Sequence, residues 1–459
     1  MRAILVVLVA AAAGVAVFWD GGFASTPQWT FAALSGAAVL AAALTDPGRA
    51  SRLLRSPPVV VIGAIGALQA LSAAWTIDTP AAALRSGAVT ASYAALILAT
   101  CVGAQRTVRV AGVIAAAVVV TGAMGLASAA LFSTTYAERI EGAWRPEGPF
   151  GYPPALALVQ VFGLPFLLGL MGRARPIAAG VAASAAAIAA GVLVLDANRV
   201  SVGLAALVAG IALVAPEQTV GTRRIVVVVA VGLLAVCGAL FHQDLGGFTP
   251  SYAPTGAGHF VWLIGIVVLA GVAWVLARPW LERGPADKRL RQRALLASAA
   301  AALVAAIAAG LFSSGALSAR RFPSHQGFTH GRSWMWSAAF HTAVGRPFYG
   351  YGAGAFYRAT VSRQPGHGRV TRFAHDLPLE LAVETGIAGF LLGIALYVVA
   401  ARSLWRARGL PELWLLGPAI AAFLLSNLVD WSWHLAGAGA LFALARGGLF
   451  NALRPAPRP

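Results

Sequence analysis

One repeated feature constrains this chain more than any other: runs of about 17–25 apolar residues, each long enough to cross hydrocarbon, separated by polar loops. Fourteen such runs can be read, at 3–19, 28–45, 58–75, 86–104, 110–132, 154–171, 177–195, 200–215, 225–241, 259–277, 294–312, 379–401, 412–429 and 432–450. A membrane segment has to satisfy its own backbone polar groups, so runs of this length predict helices. The expected fold is all-α: a polytopic transmembrane helix bundle of about fourteen helices, with twelve as the lower count. Composition agrees, since hydrophobic residues make up 59% of the 459 residues and charged residues only 11%. A soluble domain carries about a quarter charged residues. The first run resembles a signal peptide, but it continues to Phe18-Trp19 without an A-x-A site near its end, so a retained helix is expected.

These runs divide one integral membrane domain into N-terminal transmembrane helices (1–133), central transmembrane helices (134–312), a loop (313–378) and C-terminal transmembrane helices (379–459). Arginines orient it. With the N-terminus in the cytoplasm every inner loop is basic, carrying among others Arg49, Arg52 and Arg55, Arg106 and Arg109, Arg173 and Arg175, and Arg446 near the C-terminus. Both termini are then cytoplasmic, and the 313–378 loop, with its short interfacial helices, is extracytoplasmic. The net charge of +18 does not imply nucleic acid, because the basic residues are scattered among membrane segments. Cys101 and Cys237 lie inside apolar runs with no partner spacing, which argues against a disulfide framework.

Topology does not explain the long loop. It carries Arg320, Arg321, Arg332, Arg346, Arg358, Arg363, Arg369 and Arg372 against a single acid, Asp376. A segment this long is more than a connector, and positive charge on the outer side calls for an anionic partner there. A lipid-linked phosphate or pyrophosphate is the matching chemistry, because arginine grips phosphate bidentately. Arg332 begins a helix that Gly345 and Pro347 end, with Trp336, Phe340 and Val344 on an apolar stripe and Ser333, Ser337 and His341 on a polar one. Such a helix is expected to lie in the interface and to hold Arg332 at pyrophosphate depth. Gly350-x-Gly352-x-Gly354 does not follow a strand and reads as a flexible turn. His325 and His330 have no carboxylate or cysteine nearby, so no metal and no cofactor is expected.

The chemistry concentrates at the end of the loop. Asp376 suits a helix N-cap and Pro378 a first turn, which leaves His375 just outside a helix entering the bilayer. A neutral imidazole in that position suits a general base. Asp376, Glu380 and Glu384 follow at i, i+4 and i+8, an acidic stripe running below the surface. Intramembrane carboxylates are costly and mark function; the other reading is that they pair with loop arginines at the helix N-terminus. Arg199, in the short turn Asp196-Ala197-Asn198-Arg199, is either a snorkelling anchor or a phosphate ligand, and Asp196 is its one acidic neighbour.

The string His375-Asp376-x-x-Leu379-x-x-x-x-Glu384-x-Gly386-x-x-Gly389 resembles the signature of the O-antigen ligase and polymerase family, in which Asn usually follows the His. Two earlier stretches, Gly331-Arg332-Ser333-Trp334-Met335-Trp336 and Arg346-Pro347-Phe348-Tyr349-Gly350-Tyr351-Gly352, are similar to the family's loop helix and the glycine-rich turn after it. The segment Arg139 to Pro154, ending Gly148-Pro149-Phe150-Gly151-Tyr152-Pro153-Pro154, is similar to a further family segment but lacks its two asparagines, so no role is carried onto it. Arg199 stands where the family has a membrane-edge arginine, and Asp430-Trp431 is a late likeness. Together these pieces cover about residues 135–445.

The resemblance implies a GT-C-like glycosyltransferase architecture in the cytoplasmic membrane. It implies transfer of a glycan from a polyprenyl-pyrophosphate donor to a glycan or lipid acceptor, with no metal and with inversion at the anomeric centre. His375 would be the catalytic base, Arg199, Arg332 and Arg372 the pyrophosphate ligands, and Asp376, Glu380 and Glu384 supporting residues. A ligase and a polymerase share this chemistry and differ in acceptor. A transporter or flippase of the same lipid-linked sugar is the reading from another class, and it would need charges at the bilayer midplane and repeated broken helices.

Overall fold

The computed structural model describes residues 1–104, 106–140, 143–196, 201, 203–205, 256–282, 332–366 and 370–453. In chain order the helices are α1 (Arg2–Phe18), α2 (Ser25–Thr45), α3 (Pro47–Leu54), α4 (Pro57–Leu71), α5 (Pro80–Gly103), α6 (Thr107–Ala130), α7 (Pro153–Arg173) and α8 (Pro176–Asp196). They continue with α9 (Gly256–Glu282), α10 (Arg332–Gly345), α11 (Phe356–Thr360), α12 (Leu377–Arg406), α13 (Pro411–Ser426) and α14 (Ala436–Ala452). Among the described residues seven helices are long and apolar enough to cross a membrane, and the chain is a polytopic membrane protein. The expected runs at 200–215, 225–241 and 294–312 lie wholly or mostly outside the described residues.

The chain forms two compact units, residues 1–110 with 323–459, and residues 111–322. In the second, α7, α8 and α9 pack through a core of small and apolar side chains that includes Leu167, Met171, Ala183, Ala186 and Trp274. Trp274 Nε1 donates to the carbonyl of Met171 at 3.0 Å, and Ser184 Oγ to that of Val267 at 2.8 Å. One element departs from the all-α expectation: an antiparallel hairpin, β1 (Ala137–Ile140) with β2 (Ala143–Pro146), in the register Glu138 opposite Arg145. The carbonyl of Tyr136 accepts from the N–H groups of both Glu147 and Gly148.

In the first unit the loops segregate to opposite ends, as consecutive spans require. At one end Arg49 donates to Asn451 Oδ1 at 2.6 Å and Asn451 donates to the carbonyl of Ala104 at 3.0 Å. At the other, the ring of Phe23 meets that of Trp431 at 5.5 Å and the N–H of Ile77 donates to the carbonyl of Tyr351 at 3.0 Å. Arg446, expected in an inner loop, instead lies buried within α14, where its Nη2 donates to Ser403 Oγ at 2.6 Å. The helix continues past it because that hydroxyl partly satisfies the guanidinium.

α12 is not continuous. Gly386 takes φ 71°, ψ −159°, a conformation essentially confined to glycine. The break frees backbone groups, and residues 347–352 take them up. Tyr351 N–H donates to the carbonyl of Val383 at 2.9 Å, Gly352 N–H to that of Glu384 at 2.7 Å, and Ile387 N–H to that of Pro347 at 2.7 Å. The glycine run is therefore no flexible turn. Gly350, Gly352 and Gly354 all have positive φ, and the turn is also held from its other side. There Trp75 Nε1 donates to the carbonyl of Tyr349, and Ser72 Oγ accepts from Ala353.

A Cβ at Gly350 would stand 2.5 Å from the Glu384 carbonyl carbon, and one at Gly386 2.5 Å from that of Phe348. Gly350→Ala or Gly386→Ala should each lower stability by at least about 2 kcal/mol, the left-handed penalty plus the clash, read as a fall in melting temperature of the purified protein. In the hairpin unit, burial, helped by Glu138, pushes the Glu147 carboxyl from 4.5 up to about 7. The folded state then binds more protons than the unfolded one between those values, so stability is lost as pH rises through that window. Melting temperatures should fall relative to Glu147→Gln between about pH 5 and pH 8, and a parallel pair of curves would refute the assignment.

Candidate active site

The N-terminus of α12 and the turn between α13 and α14 meet to form a polar centre at one end of the first unit. Asp376 is the N-cap expected of it: its Oδ1 accepts from Leu379 N–H at 2.9 Å, with Pro378 in the first turn. Burial and the neighbouring Glu380 charge push the Asp376 carboxyl up, against the Leu379 hydrogen bond that holds it down. His375, immediately before the cap, has φ +54°. A non-glycine residue there is uncommon and marks a position that its surroundings over-determine.

What fixes His375 arrives from far along the chain. Its Nδ1 stands 3.6 Å from Asp430 Oδ1, with the carboxylate almost wholly buried and the imidazole 16% exposed. The Nδ1 atom is buried and has no hydrogen-bond partner among the described residues, so the pair sits just outside bonding distance. Leu377 N–H donates to the carbonyl of Asn427 at 2.8 Å, which ties the helix start to the same turn.

A second imidazole–carboxylate pair lies beside the first. Glu380 Oε1 meets His434 Nε2, and its other oxygen accepts from Ala374 N–H at 2.9 Å. Phe373 is stacked between Trp431, at 4.9 Å, and His434, at 4.3 Å. Glu384, also buried, accepts from Gly354 N–H at 2.8 Å. Among the described residues Glu380 and Glu384 take backbone N–H groups and His434 as partners and no arginine.

The arginines are distributed unevenly. Arg332 opens α10 at the expected residue, and its buried Nε has no hydrogen-bond partner among the described residues. α10 reaches the centre through Ala339, which shares a small core with Phe356, Val383 and Ala374, the residue before His375. Phe340 and Val344 of the same helix are 58% and 61% exposed, as an interfacial helix requires. Arg372 is exposed, three residues before His375. Arg358 pairs with Asp78 at 2.8 Å, and Arg346 lies over the Tyr351 ring at 4.7 Å. Arg199 lies outside the described residues.

Sequence reasoning missed His434 and the roles of Phe373 and Asn427. The apolar pattern starts the last span at residue 432, whereas α14 begins at Ala436 and 432–434 form a tight 3₁₀ turn. Asn427 Oδ1 accepts from Trp433 N–H and Asp430 Oδ1 from Trp431 N–H, so side chains satisfy the turn and the helix starts later. An acid and a histidine in a turn on the same side as His375 were the available signal. Among the described residues no group of three or more His, Cys, Asp or Glu is arranged to hold a metal ion.

Fold and centre together define a polytopic membrane protein with paired imidazoles and carboxylates at one membrane face. Residues 256–394 match the family described as O-antigen ligase, a stretch that takes in α9, α10, α11 and the start of α12. No curated protein matches the chain.

The second pair yields its own test. Glu380→Ala and His434→Ala should each lower the melting temperature, because each leaves a buried polar partner unsatisfied at about 1–3 kcal/mol. The double variant should lose clearly less than the two losses combined; strict additivity would show that the pair is not coupled.

Proposed function

We propose that the protein transfers a glycan from a polyprenyl-pyrophosphate donor to an acceptor hydroxyl at the outer face of the cytoplasmic membrane, as an O-antigen ligase does. The observation that carries this reading is the buried Asp430 carboxylate facing His375 Nδ1 at the start of α12. A carboxylate at Nδ1 favours the tautomer with a proton there and leaves Nε2 free to accept one.

His375 Nε2 takes the proton of the acceptor hydroxyl as that oxygen attacks the anomeric carbon. The new bond forms while the bond from that carbon to the pyrophosphate oxygen breaks, and the electron pair leaves with the polyprenyl pyrophosphate. Attack from the opposite face inverts the centre. Arg332 and Arg372, with Arg199 as a third ligand, meet the charge that develops on the leaving group, each charge-assisted bond contributing about 1.5–3 kcal/mol. No divalent ion is required in this scheme, since guanidinium groups stand in its place. Asp376, Glu380 and Glu384 act at one remove by fixing the backbone that carries His375.

Incubating purified protein with a lipid-pyrophosphate glycan and candidate acceptors, without added metal, tests the proposal. A discrete adduct identifies a ligase and a ladder a polymerase. His375→Ala and Asp430→Asn are expected to slow transfer by about 10²–10⁴-fold with donor binding little changed. A well-folded His375→Ala protein that transfers at the original rate overturns the reading and leaves transport of the same lipid-linked sugar.

A further inference from the structure

A cavity of about 330 Å³ lies between α2, α4 and α5, at the end of the first unit opposite His375, and apolar side chains alone line it. Its origin is local packing. A Cβ on Gly66 would stand 2.8 Å from the Ala91 nitrogen, and one on Gly87 2.7 Å from that of Ala70, so α4 and α5 touch closely there. Toward Leu54 and Leu98, the small residues Gly63, Ala94 and Ala95 leave the space unfilled, and a Cβ on Gly63 would meet nothing within 4 Å.

The cavity is open to the side, since Leu54 and Val60 on its wall are 55% and 48% exposed. It runs from Ala91, midway along α5, to Leu98 near that helix's end, about 10 Å at 1.5 Å per residue. That depth lies within one leaflet of a hydrocarbon core about 30 Å thick. Its mouth is at α3, where Arg52 and Arg55 are exposed on either side of Leu54 in sequence and have no ion pair or hydrogen-bond acceptor among the described residues.

We propose that this groove seats one acyl chain of an anionic phospholipid, from the leaflet on the α3 side, whose headgroup is held by Arg52 and Arg55. Apolar walls exclude water and polar ligands, hydrocarbon fills what opens onto a bilayer, and the two exposed arginines that flank Leu54 in sequence on α3 favour a negative headgroup. The cavity ends near mid-bilayer, so its occupant is distinct from a donor whose pyrophosphate lies at the opposite face. The inference rests only on the chain spanning a bilayer and not on the glycan-transfer reading.

Native mass spectrometry of the full-length protein in mixed micelles containing phosphatidylglycerol or phosphatidylcholine tests it. Phosphatidylglycerol is expected to be retained about tenfold more tightly, and Arg52→Gln with Arg55→Gln to bring the two lipids within about twofold. Gly63→Leu, whose side chain grows into the open space, is expected to lose the phosphatidylglycerol adduct. Equal retention of the two lipids by the original protein, or an unchanged preference in the double arginine variant, overturns the proposal. So does a folded Gly63→Leu protein that binds phosphatidylglycerol as before; should that variant not fold, the exposed arginine pair decides the matter alone.

Discussion

The break at Gly386 is the constraint on which the centre depends. A continuous helix would satisfy its own backbone and leave nothing for residues 347–352 to bind. By turning the chain at φ 71°, Gly386 exposes carbonyls at Val383 and Glu384 and a donor at Ile387, and the glycine-rich turn closes on them. In hydrocarbon each unsatisfied group costs several kcal/mol, so break and turn have to form together. The short helical segment before the break, carrying Glu380 and Glu384, is thereby fixed independently of the long segment after it. Glu384 strengthens the junction by accepting from Gly354 N–H.

On that fixed segment the centre is assembled from two stretches that the sequence keeps about fifty residues apart. The α13–α14 turn supplies Asp430, Trp431 and His434, and the end of the loop supplies Phe373, His375 and Asp376. Four contacts of different kinds join them: a backbone hydrogen bond at Leu377, the aromatic stack on Phe373, the Glu380–His434 pair, and the electrostatic approach of Asp430 to His375. Because the two imidazoles use different carboxylates, one pair can be held tight while the other stays just outside bonding distance. In the proposed reaction His375 is the base, and catalytic hydrogen bonds that are long in the free enzyme tighten once substrate is bound.

Much of this is legible in the sequence, for reasons that differ by element. Apolar runs announce spans because hydrocarbon admits few alternatives, and Asp376 and Pro378 announce a helix start because caps are local chemistry. α10 begins and ends where Arg332 and Gly345 indicate. The hairpin at 137–146 and the amphipathic α3 lack a long periodic signal, and no pattern in the chain announces either. The glycine run misleads, since its φ values are set by a distant helix break that no local pattern reports. His434 is hidden for a related reason: apolar neighbours on both sides read as membrane, while the turn that exposes it rests on side-chain oxygens of Asn427 and Asp430.

The charges carry the synthesis one step further. Arg358 is paired with Asp78 and Arg346 is laid over Tyr351, so part of the loop's positive charge is structural. Arg332 differs, because its Nε is buried and lacks a hydrogen-bond partner among the described residues, and burying such a donor without compensation is costly. The acids at the start of α12 have partners of their own among the described residues: Glu380 with His434 and Ala374, Glu384 with Gly354, and Asp376 with Leu379. Under the proposed function, the Arg332 guanidinium is the one that meets the anionic glycan donor. That division of labour is what the proposed pyrophosphate chemistry asks of the site.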